Sequence, residues 1–199
     1  MTLTVILRGL LVSGEATAWE ALGFDVVGER FAAGEVTVRL AGRDTGSGVL
    51  GWELAPPVAD MDGLAGVAVG PAAPASHDNG VTGVDHVVVG TPDVERTTAA
   101  LAAIGLEPRR TIEGARGDTG TIYRFFLLGT ALLELIGPAV PTDEGPARFA
   151  GVAFVAPTLD GLPAGFSAPR PAIQPGRRIA TATREAGLGV PVAVMTPRR

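Results

Sequence analysis

The run from Gly83 to Pro138 constrains the fold more than any other part of the chain, because its elements follow one another in a readable order. GVDHVVVG is a Val-rich, strand-forming stretch. In TPDVERTTAALAAIGL, Thr91 stands as a helix N-cap and Pro92 takes the first helical position. Val94, Thr98, Leu101 and Ile104 recur at helical spacing, and Gly105 ends the run as a C′ residue does. EPRRTIE, TIYRFFLL and ALLELIGP then read as three strands, the last two joined by a tight turn at Gly129 and Thr130. The order is strand, helix, strand, strand, strand.

That order recurs. From Arg148, GVAFVAPTLDGL gives a strand and the start of a helix, GRRIATATRE a later strand and LGVPVAVMTP the last. The proline and glycine of DGLPAGFSAPRP exclude a full helix there. Near the N-terminus, LTVILRG, GEATAWEALGF, EVTVRLAG and GVLGWELAPP repeat the pattern, and GWELAPP lines up with LLELIGP. MDGLAGVAVG is strand-like and similar to FAGVAFVAPTLDGL, while PAAPASHDNG has the composition of a linker. The expected division is a degenerate βαβββ module over 1–70, a linker over 71–82, the best-preserved module over 83–138, and an eroded module over 148–199 that pairs with it. The expected fold class is α+β: repeated βαβββ modules forming curled mixed sheets, with helices outside.

Composition narrows the function classes. A hydrophobic fraction of 46% against 19% charged residues supports a packed core. A net charge of −5 argues against a nucleic-acid partner, which calls for a basic face. All 16 cationic side chains are arginine, so Schiff-base lysine and phosphate-loop lysine chemistry are excluded. The absence of cysteine removes disulfides, thiolate nucleophiles and zinc–sulfur sites. No apolar run approaches the ~20 residues of a membrane span, and Arg8 interrupts the apolar start, which lacks a signal-peptide pattern. A cytoplasmic protein with no membrane partner is expected. The loop GARGDTG joins two strands and lacks the strand–loop–helix context of a phosphate cradle; it reads as a hairpin or lid.

Few residues are left to carry chemistry. Strand alternation places Val84, His86 and Val88 on one face, and Leu132, Glu134 and Ile136 on one face of another strand. A lone ionisable group on an apolar face needs a partner, because burying it unpaired costs several kcal/mol. His86 and Glu134 therefore either bind a cation together or pair with each other. Glu53, between Trp52 and Leu54, is a third ligand if the first two modules face each other, or a strand-end carboxylate with a wet or arginine-paired head. Arg177 and Arg178 lie on opposite faces of an extended segment; one of them meets a carboxylate or phosphate of a ligand, or is buried facing Glu134. Tyr123, Phe125 and Leu127 alternate with Arg124, Phe126 and Leu128, so both faces of that strand are largely apolar and cover is expected on both. Tyr123 and Phe125 are the candidates for lining a pocket. His77, among Ser76, Asp78 and Asn79, reads as a solvated loop histidine.

The repeated βαβββ order, carried by VDHVVVGTPDVERT, LLELIGP and QPGRRIAT, resembles the vicinal oxygen chelate superfamily. That superfamily includes the glyoxalases, the bleomycin-resistance proteins and the extradiol dioxygenases, and the chain looks most like the glyoxalase-like proteins of bacteria. The resemblance implies an open cup in which histidines on first strands and glutamates on last strands hold a divalent metal such as Ni, Zn, Mn or Fe. His86 and Glu134 match one such pair, with Glu134 also placed to move protons as a catalytic residue. Glu53 matches Glu134 in the first module, where Thr4 falls at the histidine position. In the third module, Ala153 falls opposite His86 and Ala193 opposite Glu134. Three readings follow. The first is a metal-dependent lyase or isomerase acting on a small oxygen-rich molecule. The second is a metal-free small-molecule binding protein like the drug-sequestering branch, and the third is a degenerate scaffold. A small-molecule ligand and a homodimer are the expected partners.

Overall fold

The computed structural model describes residues 4–114 and 120–198, so the middle of GARGDTG lies outside the described residues. Residues 83–138 form β5 (Gly83–Gly90), α2 (Val94–Ala102), β6 (Pro108–Glu113), β7 (Thr121–Leu128) and β8 (Ala131–Pro138). Residues 148–198 form β9 (Arg148–Val155), β10 (Arg170–Pro171), β11 (Arg178–Thr181) and β12 (Val192–Met195). These strands make one eight-stranded mixed sheet in the order β10-β11-β12-β9-β5-β8-β7-β6. In each half the first strand lies parallel to the last, β5 to β8 and β9 to β12, with hairpins extending outward. The two first strands, β5 and β9, meet antiparallel at the centre. The sheet is open, ending at β10 on one side and β6 on the other.

The N-terminal segment keeps the element order with a different pairing. Its elements are β1 (Ile6–Val12), α1 (Ala16–Ala21), β2 (Arg30–Ala33), β3 (Val36–Leu40) and β4 (Val49–Ala55). They form a separate four-stranded sheet ordered β2-β3-β1-β4, in which β1 runs parallel to β3 and antiparallel to β4. β4, which resembles β8 in sequence, thus lies antiparallel to the first strand of its unit, whereas β8 lies parallel to its own. Thr4 is exposed and precedes β1, so it occupies no first-strand position.

One side of the large sheet is covered in two ways. Over residues 83–138 the cover is α2, whose Val94 and Leu101 are buried and which packs on β8. The approach is close: a Cβ on Gly137 would stand 2.7 Å from Val94 Cγ2 and 2.5 Å from the Thr91 carbonyl oxygen. No α-helix follows β9 among the described residues, where prolines and glycines stand in its place; the one helical turn there is a short 3-10 helix at Arg184–Ala186. The N-terminal unit takes its place. Phe154 of β9 packs against Phe24 at 5.2 Å and against Trp19 and Phe31 at 6.2 Å each, and Trp52 of β4 meets Phe149 at 5.2 Å. Val84, Val87, Val89, Phe126, Leu128, Leu133 and Leu135 complete this core.

The other side is open. Val88, Leu132, Ile136, Tyr123 and Phe125 are half-buried, and Leu127 is 44% exposed. β7 is therefore covered on one face, not on both: Phe126 and Leu128 are buried while their neighbours Phe125 and Leu127 look outward.

Residues 71–82 are fastened down. His77 is buried, accepting a hydrogen bond at Nδ1 from the Asp25 N–H and donating from Nε2 to the Ala32 carbonyl, both at 2.9 Å. It packs against Phe24 and Phe31 and is not solvated. Asn79 donates to the Leu22 carbonyl at 2.8 Å. Upstream, the strand-like piece near Ala65 runs beside β4 through hydrogen bonds between Trp52 and both Ala65 and Val67. No helix among the described residues is long and apolar enough to cross a membrane.

Candidate functional site: a histidine between two carboxylates

β5 and β8 are adjacent and parallel, with His86 opposite Leu132 and Val88 opposite Glu134. This register sets His86 and Glu134 one diagonal step apart on the open face, with His86 Nε2 3.2 Å from Glu134 Oε2. Their side chains are 12% and 19% exposed. Phe125 lies opposite Glu134 and Tyr123 opposite Ile136 on β7, so both aromatic residues stand on the same face as the pair.

The other ring nitrogen of His86 is engaged by its own neighbour. Asp85 Oδ2 accepts from His86 Nδ1 at 2.8 Å. Consecutive residues of a regular strand point to opposite faces, but the β5–β9 register slips between Val84 and His86, a β-bulge at Asp85. The bulge also corrects the alternation expected from the sequence: Val84 joins Val87 and Val89 in the core, while His86 and Val88 look outward.

Arg177 completes the network from the other half of the sheet. Its Nη2 lies 2.6 Å from Asp85 Oδ1 and its Nη1 3.3 Å from Oδ2, while its Nε donates to the Thr196 carbonyl at 2.7 Å. Its Nη1 also meets Gln174 Oε1. Arg177 is 4% exposed and Asp85 2% exposed. Arg198 adds a more distant charge, its Nε 3.9 Å from Asp85 Oδ1. Burial raises the Asp85 carboxyl, but the hydrogen bonds and charges of His86 and Arg177 together outweigh it and hold the group down at about 2.

The remaining sequence candidates sit elsewhere. Glu53 does not join His86 and Glu134: its Oε2 accepts from the Val69 and Gly70 N–H groups at 2.5 and 3.0 Å, as a cap on the segment beside β4. Arg177 faces Asp85, where the sequence reading offered Glu134 or a ligand. Arg178 is exposed, pairs with Asp160 at 3.3 Å, and borders a groove of about 390 Å³ lined by Leu159, Leu162 and Phe166.

A divalent metal does not fit this set. Catalytic sites of this kind use about three protein ligands with an open position. Here the imidazole stands between the two carboxylates, so Asp85 and Glu134 cannot converge on one cation. The second half of the sheet supplies nothing in their place. Ala153 pairs with His86 across the β5–β9 seam and with Ala193 across β9–β12, so Ala193 corresponds to Leu132. The position that corresponds to Glu134 is two residues on, at Met195, opposite Val155. The correction from Ala193 to Met195 leaves the half-site without a ligand. Among the described residues, no group of three or more His, Cys, Asp or Glu side chains is arranged to hold a metal ion.

The paired strand order of residues 83–198, with its parallel first and last strands, matches what the sequence resemblance implied. The fold class is α+β, built of two mixed sheets with few helices. The structure is similar to methylmalonyl-CoA epimerase from Mycobacterium tuberculosis over 61% of this chain and 92% of that one, at 17% identity and a TM-score of 0.49. It is similar to a variant of the Streptomyces coelicolor methylmalonyl-CoA epimerase, in complex with 2-nitronate-propionyl-CoA, over 60% of this chain and 99% of that one, at 19% identity and a TM-score of 0.45. A hypothetical protein from Bacillus halodurans is similar over 58% of this chain and 94% of its own, at 14% identity and a TM-score of 0.44. No protein-family model and no curated protein matches the chain.

Asp85 is the site residue that the sequence reading missed. Its signal is there in hindsight: an acid beside a histidine inside an otherwise apolar, Val-rich strand has to be paired.

Proposed function

We propose that the protein binds a small organic molecule on the open face of its eight-stranded sheet, and that His86 and Glu134 form a metal-free proton-transfer pair there. The observation that carries this reading is the 3.2 Å approach of Nε2 to Oε2 on a half-buried, largely apolar face. Val88, Leu132, Ile136, Tyr123 and Phe125 offer apolar surface to the body of such a ligand, and the pair offers a polar anchor.

The chemistry follows from the hydrogen-bond inventory. With Nδ1 donating to Asp85, a proton held at Nε2 makes an imidazolium facing the Glu134 carboxylate, and its transfer to Oε2 leaves an imidazole facing a carboxylic acid. Either form can donate to an oxygen of the ligand, and the carboxylate form can take a proton from carbon next to a carbonyl. That is general acid–base chemistry of the isomerase or lyase kind, with the charge balanced by Asp85 and Arg177 instead of a metal.

The test is thermal stabilisation by anilinonaphthalene sulfonate and by methylmalonyl-CoA in the presence of EDTA, beside metal content by mass spectrometry. Stabilisation that survives EDTA and is lost in His86→Ala is expected. About one divalent ion per chain that disappears in His86→Ala, with stabilisation abolished by EDTA, would overturn the metal-free reading.

A further inference from the structure

We infer that Asp85 and Arg177 are positioning residues for His86, so that residues 148–198 contribute to the site through a buried guanidinium and not through ligands of their own. This rests on the reading of His86 and Glu134 as the working pair.

A surface imidazole turns freely about its outer torsion. In this protein Nδ1 is bonded to Asp85 Oδ2 at 2.8 Å, and that bond leaves Nε2 directed at Glu134. Asp85 could not hold the ring if its own carboxylate were free to turn. Its second oxygen is fixed by Arg177 at 2.6 Å, and Arg177 is fixed in turn by the Thr196 carbonyl and by Gln174. The bulge is what makes the first link feasible, because a regular β5 would send Asp85 away from the ring. The second link crosses from one half of the sheet to the other. Where Ala153 and Met195 offer no polar atom to the site, Arg177 supplies a positive charge one residue further back. Three links in series, the middle one buried and the outer two partly so, therefore set one ring orientation.

The reading can be made on the full chain without any ligand. The protein has two histidines, so proton–nitrogen correlation NMR of the imidazole rings gives two patterns, and His86→Ala assigns them. His77, held as the Nε2–H form between Asp25 and Ala32, reports on the fold of the rest. The double variant Asp85→Asn with Arg177→Met removes both charges together and so leaves no buried charge unpaired. The expected result is an unchanged His77 pattern, a displaced His86 pattern, and about tenfold weaker binding of anilinonaphthalene sulfonate. A wild-type His86 pattern in that variant overturns the inference. Should the double variant lose the His77 pattern as well, Asp85→Glu decides, since it keeps the charge and shifts the oxygen from Nδ1: a displaced His86 pattern supports the clamp and an unchanged one overturns it. The two readings fail separately. If no probe binds the wild type, the function proposed above fails while the NMR patterns still test the clamp. If the patterns do not move, the clamp fails while probe binding stands.

Discussion

Residues 83–138 and 148–198 lay down the same four strands in the same order, and each half needs its inner face kept from water. The first half carries its own cover, the nine residues of α2. The second half has prolines and glycines where that helix would be, and its inner face is covered by the N-terminal unit, through Trp19 of α1, Phe24 after it and Phe31 of β2. The difference teaches that strand order and helical cover are separable. The sheet follows from strand pairing, and any apolar surface of the right shape serves as its lid. The same contrast runs through the site: the first half supplies His86 and Glu134, and the second supplies Arg177.

The comparison can be broken at its cover. Trp19 is fully buried and faces Phe24, Phe31 and Phe154. If the N-terminal unit is an integral cover, Trp19→Ala costs about 3–5 kcal/mol in urea unfolding, as much as a substitution in the central core. A loss below about 1 kcal/mol would mean that the N-terminal unit is an accessory and that the second half holds itself together.

Acid sharpens the comparison at the seam between the halves. The Asp85 carboxyl sits at about 2 in the folded protein against an ordinary 3.8. A carboxyl depressed on folding contributes stability that is present above its unfolded value and is lost as the pH falls toward the folded one. That contribution is about 2 kcal/mol. The expected outcome is a wild-type urea midpoint that drops from about pH 4 to about pH 2 by more than that of Asp85→Asn with Arg177→Met. Parallel curves for the two proteins would show that the ion pair joining the halves adds nothing to stability.

The smallest effect is expected one residue along. Arg178 and Asp160 are both exposed, with side chains 49% and 80% accessible. Arg178→Ala should change stability by less than about 0.5 kcal/mol. A large loss would make the second half depend on its surface, which Arg177 alone does not imply.

What the sequence disclosed depended on whether a feature was local. Strands β5, β7 and β8 and the stop at Gly105 were legible because alternation, helical spacing and a left-handed residue are properties of a short stretch; Gly105 takes a φ of 88°. The start of α2 was misplaced by two residues. Asp93 caps it by accepting from the Arg96 N–H at 3.0 Å, while Thr91 accepts from the Asp93 N–H at 3.1 Å and pairs with Thr97. Both Thr91 and Asp93 are capping residue types, and composition does not choose between them. The missing helix was legible from Pro163 and Gly165; its replacement was not, because Trp19 and Phe154 meet only in three dimensions. His86 and Glu134 stood out as ionisable groups on apolar faces. Asp85 did not, because a bulge belongs to two strands at once, and the partner strand β9 lies far along the chain. The pairing of β4 was hidden for the same reason: GWELAPP is similar to LLELIGP, yet neighbours outside the segment decide which side of β1 it joins.

The borrowed cover also sets an order of events during synthesis. Trp19, Phe24 and Phe31 leave the ribosome well before Phe154 exists to receive them. Until β9 emerges, Phe24 and Phe31 have His77 to pack against but lack Phe154, which lies far along the chain from them. The aromatic cluster of the N-terminal unit therefore completes its packing only once β9 has been made.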